Sequence, residues 1–287
     1  MPESQDELPL RVYTPDPAFR APRLLLQDMW AALRASWELA VVLFGRDLKA
    51  QYRQSFIGYA WLLVTPLGTT LLWFLLRGSG IARIPDTGIP YPAFVLIGTL
   101  LWETFALSVQ APLQQLGASR GLLVKLRFAY EAPVIAGFVG IAFESLVRLF
   151  LLVPVFVLVR LQLSWTLVLF PLGYAILMLL GAAIGLLLVP VGLLYSDVNR
   201  GVGLVLRLGM YLTPVVYPLA HSGPLAVLNR VNPVTFVLDT ARALLVGAPV
   251  EHVVPAVLTT LVAVVALFLG WVVLHVTMPI VIERMGM

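Results

Sequence analysis

The sequence contains no cysteine. That excludes a disulfide framework, a thiolate nucleophile and any Cys-based metal site. Histidine is nearly as scarce: His221, His252 and His275 are the only three, far apart, and no HExxH or comparable zinc spacing occurs. Charge is short as well. Only 12% of the 287 residues are Asp, Glu, Lys or Arg, against about 25% in a soluble domain. So few charges cannot cover a surface facing water. A G-x-x-x-x-G-K-[ST] phosphate loop is absent, so this chain does not itself cradle ATP phosphates. No GxSxG, DxxD pair or Ser-His-Asp cluster stands out. Leu76–Gly80 holds two glycines but reads as a loop. A membrane glycosyl- or prenyl-transferase would need a metal-binding carboxylate cluster, and none is visible. No basic region followed by an apolar stretch and a cleavage site opens the chain, so no cleaved signal peptide is expected.

What is abundant is apolar. Hydrophobic residues make up 60% of the chain, and the mean hydropathy is +0.94. The expectation is an all-α integral membrane protein. Six spans are predicted: about 58–76, 91–113, 133–159, 165–194, 201–218 and 253–279. The net charge of +4 lies in short groups beside apolar runs. That fits the positive-inside rule better than a nucleic-acid surface. With the N-terminus inside, the cytoplasmic segments hold Arg11, Arg20, Arg23, Arg34, Arg46, Lys49, Arg53, Arg120, Lys125, Arg127, Arg200 and Arg284. The outer segments hold Arg77, Arg83, Arg160, Arg230 and Arg242. This bias places both termini in the cytoplasm.

Three regions precede or interrupt the spans. Residues 1–27 carry acids and prolines without an apolar period, and are expected to be a mobile cytoplasmic tail. Residues 28–57 are read as an amphipathic interfacial helix followed by a basic elbow, and 58–287 as the transmembrane domain. In DMWAALRASWELAVVLF (28–44), Trp30, Leu33, Trp37, Val41 and Phe44 recur at helical spacing. Asp28 is the expected N-cap. The helix lies in the membrane interface, or packs on the protein's own bundle. In RDLKAQYRQSFIGYAWLLVTPL (46–67), Leu48, Tyr52 and Phe56 form an apolar stripe between Arg46, Lys49 and Arg53. Gly58 is expected to turn the chain into the first span, which Pro66 interrupts. Between spans five and six, VNPVTFVLDTARALLVG (231–247) starts at Asn232-Pro233 and stops at Gly247. Its apolar part is too short to span, so a re-entrant or interfacial outer helix is expected, the alternative being a surface helix on the outer face. Phe236, Ala243 and Leu244 lie close to one face of it.

Charges inside spans cost about 2.5–3.5 kcal/mol each on insertion scales and must be paired or face a cavity. Glu144 and Arg148 lie four apart in the third span and form an expected intramembrane ion pair. Glu103 has no partner within its own helix and is the better lining candidate. A secondary transporter would use these same three residues in an ion or proton relay, but no internal inverted repeat is apparent. Trp73, Trp102 and Tyr211 are aromatic candidates for lining a path, since aromatic faces stack on sugar rings. The segment 113–132 is basic and partly amphipathic. Arg120, Lys125 and Arg127 there, with Arg46, Lys49 and Arg53, form either a docking surface for a cytoplasmic partner or solvated positive-inside loops.

Three stretches, in order, resemble one family. RDLKAQYRQSFIGYAWLLVTPL, YSDVNRGVGLVLRLGMYLTPVVYPL (195–219) and VNPVTFVLDTARALLVG are similar to segments of the permease subunits of ABC-2-type polysaccharide exporters. These proteins move O-antigen, capsular polysaccharide or teichoic acid. The resemblance covers most of residues 40–279. It departs at Ser196-Asp197, where the family commonly has Arg-Asp, and it does not include the tail 1–27. It implies a homodimer in the cytoplasmic membrane, with two copies of a separate ABC ATPase subunit and a lipid-linked polysaccharide as substrate. It implies that ATP and Mg are bound by that partner, so the chain itself carries no cofactor and is not an enzyme. Residues 114–130 would match the coupling helix, and Asn232, Pro233 and Phe236 the outer gate. An ABC-2 exporter of a small lipid or drug is the nearest alternative.

Overall fold

The structure is a computed structural model that describes residues 22–52, 58–82, 84–125, 129–150, 152–159, 164–220 and 222–286. Among these residues the regular structure is helical throughout. Arg53 and Arg127, and Phe56 of the predicted stripe, fall outside them.

The first helix, α1 (Pro22–Tyr52), begins six residues before the expected start. Asp28 therefore lies inside it and is not its cap. One face of this helix packs on the protein's own bundle. Met29, Ser36, Ala40 and Leu43 are buried, and Ala40 and Leu43 pack with Ala132 and Ala136 of the bundle. Trp37, Val41 and Val42 stay exposed. The predicted face is thus divided: Trp30, Trp37 and Val41 are exposed, while Phe44 packs beside Ala40 and Leu43 and meets the Phe143 ring at 6.0 Å. At Gly58 the backbone takes φ +56, a conformation glycine adopts without steric cost. Residues 53–57 of the expected elbow lie outside the described residues. After one 3₁₀ turn, α2 (Trp61–Gly78) runs straight through Pro66. Pro66 removes one backbone bond but does not break the helix.

The centre of the bundle is α3 (Tyr91–Ala118) packed on α7 (Phe170–Leu194). Gly181 and Gly185 of α7 face α3 so closely that an added Cβ would collide with the main chain at Phe105 and Val109. This small-xxx-small spacing lets two backbones approach in a membrane, where packing rather than water exclusion drives helix association. In α3, 83% of the most apolar window is buried within the protein, against 11% in α2 and 17% in α11 (Val253–Gly286). The core therefore sits at α3, while α2 and α11 form the rim. The other helices are α4 (Arg120–Lys125), α5 (Glu131–Leu149), α6 (Leu152–Val159), α8 (Ser196–Leu212), α9 (Pro224–Val231) and α10 (Pro233–Val246).

Among the described residues, five helices are long and apolar enough to cross a membrane: α2, α3, α5 with the start of α6, α7 and α11. The predicted fifth span at 201–218 is different. Helix α8 starts earlier, at Ser196, and stops at Leu212. Thr213 is extended, with ψ 148, because the residue before Pro214 is pushed out of the α region. Only Leu206 of α8 is buried. The chain then crosses an irregular stretch before α9 and α10.

Candidate functional site

Two polar groupings stand out in the helical body. One is a cleft of about 620 Å³ between α2, α3, α5 and α8. Trp61 and Thr65 contribute from α2, Trp102, Glu103 and Gln110 from α3, Arg148 from α5, and Arg207 and Met210 from α8. A second cleft, of about 460 Å³ along Leu149, Phe156, Phe170 and Leu245, is lined by apolar side chains alone and offers no polar chemistry.

The cleft's charges form a cluster larger than the predicted pair. Arg148 Nη2 lies 3.3 Å from Glu144 Oε2, as the i, i+4 spacing predicts. Arg148 Nε also lies 3.7 Å from Glu103 Oε2 on α3. Glu103 is therefore not alone: its partner comes from another helix, 45 residues away in the chain. The arginine is only 7% exposed. Its Nε and Nη1, and Glu103 Oε1, are buried without a hydrogen-bond partner. A buried polar group left unpaired in a cleft calls for water or a polar ligand. Beside this cluster, the Thr104 and Tyr174 hydroxyls are hydrogen-bonded to each other and join α3 to α7.

Arg207 is the residue that sequence reasoning missed. It sits within the predicted fifth span, where charge is costly, and it has no ion-pair partner among the described residues. The signal was present: one arginine in the middle of GVGLVLRLGMYL. Trp102 is nearly buried, and the tip of its ring packs on Gly209 of α8. Trp73 and Tyr211 are brought together, with ring centroids 6.3 Å apart. They do not line the cleft that holds Trp102 and Glu103. The four aromatic and acidic candidates thus divide into two pairs.

The second grouping holds the irregular stretch after α8. Asn232 caps α10 as predicted: its side chain accepts from the Val234 N–H at 3.1 Å. Its Nδ2 also donates to Thr213 Oγ1 at 2.8 Å. Gly247 closes α10 with φ 74. Arg242 was counted with the outer loop charges, yet it is buried at 4% exposure. Its Nη2 donates to the carbonyls of Pro214 (2.9 Å) and Val215 (3.1 Å), and its guanidinium lies 3.9 Å from the centroid of the Phe94 ring. The Tyr91 hydroxyl donates to the Val216 carbonyl at 3.0 Å. Irregular backbone away from water needs such donors. The buried face of α10 includes Val234, Val237, Leu238, Ala241 and Leu245; of Phe236, Ala243 and Leu244, expected close to one face, Ala243 is buried while Phe236 and Leu244 are half-buried. Phe236 instead faces His252, ring to ring at 5.8 Å. His252 Nδ1 lies 3.4 Å from Asp239 Oδ2. Burial holds the Asp239 carboxyl above the usual carboxylate range, opposed by Arg242 and His252.

The basic candidates are spread along one end. Arg46 pairs with its neighbour Asp47 at 2.8 Å, Lys49 is exposed near the end of α1, and Arg120 and Lys125 bound the short helix α4. Among the described residues, no group of three or more His, Cys, Asp or Glu side chains suits a metal ion.

Fold and cleft together define a helical membrane protein with a polar cleft between its apolar helices. A family model described as ABC-2 type transporter matches residues 38–246. The chain belongs to that family. It is 26% identical over 239 residues to the O-antigen export system permease protein RfbA of Myxococcus xanthus, covering 80% of this chain and 88% of that protein. It is 25% identical over 187 residues to the O-antigen export system permease protein RfbA of Klebsiella pneumoniae, covering 63% and 69%.

Proposed function

We propose that this chain is the membrane permease of an ATP-driven exporter of a lipid-linked polysaccharide of the O-antigen, capsule or teichoic-acid type. The carrying observation is the cleft, set in a chain similar to two O-antigen permeases. Glu103, Gln110, Arg148 and Arg207 offer both acceptors and donors to a polyhydroxylated chain, and Trp61 and Trp102 offer ring surfaces. Half of such a passage is a cleft on one subunit. A second copy facing α2 and α8 would close it, so the working form is a homodimer. Two copies of a cytoplasmic ABC ATPase would bind below, with ATP and Mg on that subunit. Arg46, Lys49 and Arg53, with Arg120, Lys125 and Arg127 around α4, would form its docking surface. Both termini would then lie in the cytoplasm, in the inner membrane. The opposite end, with Asn232, Pro233 and Phe236, would be the exit gate.

The test is export. The chain is expressed with a candidate ABC ATPase subunit in cells lacking their own O-antigen permease. Surface polysaccharide is expected, and Arg207→Glu together with Glu103→Gln is expected to lower it while leaving the complex assembled. Lys125→Glu with Arg120→Glu is expected to release the ATPase. Export of a small lipid or dye but no polysaccharide would establish the alternative ABC-2 substrate class. Transport that persists without nucleotide would point to a secondary transporter built on the Glu103–Arg148–Glu144 cluster.

A further inference from the structure

At the end of the bundle opposite Arg242, the start of α5 is fastened to α11 by a small polar knot. Tyr130 and Glu131 stand where α5 begins, five and six residues past the end of α4. The Tyr130 hydroxyl lies 2.7 Å from His275 Nδ1 and 3.3 Å from the His275 carbonyl oxygen. Glu131 Oε1 lies 3.2 Å from the same Nδ1. Glu131 is 3% exposed, so its carboxyl has no recourse to water.

One nitrogen thus meets two groups, and the donors resolve the arrangement. With Nδ1–H shared between the Tyr130 oxygen and the Glu131 carboxylate, the Tyr130 O–H donates to the His275 carbonyl. That carbonyl needs a donor. In a helix it would accept from the N–H of residue 279, and residue 279 is Pro279, inside α11. Proline has no N–H and its ring crowds that carbonyl, so the usual bond is missing although α11 continues to Gly286. The knot therefore grips α11 at the turn its own proline has loosened. Around it, Leu116 of α3, Leu123 of α4, Val134 of α5, and Leu274, Met278 and Val281 of α11 share one buried cluster.

We infer that Tyr130, Glu131 and His275 form a clip that fixes α11 one turn before Pro279 and ties it to α4. His275 is a positioning residue: movement imposed on α4 reaches the last helix through it. This rests on the reading of α4 as the ATPase-docking element for its meaning in transport. The clip itself is testable without it.

The chain lacks cysteine, so two labels can be introduced cleanly, at Gly121→Cys and Glu283→Cys, both exposed. Electron-spin distance measurements on the full chain in nanodiscs read the α4–α11 separation. The unsubstituted clip is expected to give one narrow distribution. His275→Leu and Tyr130→Phe are expected to broaden it or add a second distance. His275→Asn keeps a donor near Nδ1 and is expected to restore the narrow form. Pro279→Ala returns an N–H to the His275 carbonyl, so adding Tyr130→Phe to it is expected to broaden the distribution much less than Tyr130→Phe alone. In the complex with the ATPase, His275→Leu is expected to lower polysaccharide exported per ATP about fivefold, the worth of one hydrogen bond. An unchanged distribution in His275→Leu overturns the clip. So does equal broadening by Tyr130→Phe with and without Pro279→Ala, which decides the matter if His275→Leu fails to fold. Failure of the functional reading looks different: the unsubstituted chain exports nothing while its distances still respond as described.

Discussion

The two ends of the bundle solve the same problem in different ways. At each, proline frees backbone carbonyls, and side chains from other helices supply the missing donors. At the Arg242 end the break is complete. Helix α8 ends before Pro214, and Arg242, Tyr91 and Asn232 hold the irregular chain from three directions. At the His275 end the helix continues through Pro279 with one carbonyl loosened, and a tyrosine hydroxyl meets it. A buried guanidinium bonded to two carbonyls is costly to displace. A neutral hydroxyl sharing one imidazole is easier to move. The difference teaches that one end is held by a buried charge and the other by a single neutral hydroxyl.

The strongest way to break this contrast is Arg242→Ala. It strands the Pro214 and Val215 carbonyls and should cost about 3 kcal/mol, seen as a lower unfolding temperature in nanodiscs. A loss as large from His275→Leu would erase the distinction. Next in size is Asn232→Ala, which removes a helix cap and the link to Thr213, and should cost about 1–2 kcal/mol by the same measurement. A matched pair then sharpens the comparison. Tyr91→Phe and Tyr130→Phe each delete one hydroxyl bonded to a backbone carbonyl. Tyr91→Phe should cost about 1 kcal/mol of stability with export per ATP preserved. Tyr130→Phe should cost less stability and more export per ATP.

The smallest effect concerns pH at the Arg242 end. Burial raises the Asp239 pKa in the folded protein. The folded state then holds its proton at pH values where the unfolded state has released it, so stability falls as pH rises through that window. Asp239→Asn should remove this fall and leave unfolding flatter with pH above the ordinary carboxylate range. A steeper profile in the variant would show that the His252 contact outweighs burial.

Local features were readable because their causes are local. Asn232-Pro233 and Gly247 bound α10, since a cap, a proline and a left-handed residue act on their own neighbours. Gly58 takes its left-handed backbone conformation for the same reason. The stripe on α1 was readable, but not which side would be covered, because Ala40 and Leu43 are chosen by α5. Glu103 looked unpaired because its arginine lies on another helix. Arg242 looked like a solvated loop charge because nothing nearby in sequence shows the carbonyls it serves.

Composition and periodicity by themselves determined a helical membrane protein with apolar helices, a basic end and a capped short helix before the last of them. Those properties follow from transfer free energy and from backbone geometry over a few residues. Only the tertiary structure decided which charges meet, that Gly181 and Gly185 admit α3, that α8 stops at Thr213 and that Tyr130 reaches the carbonyl beside Pro279. Such pairings depend on which helix faces arrive together, and that is fixed by packing over the whole chain.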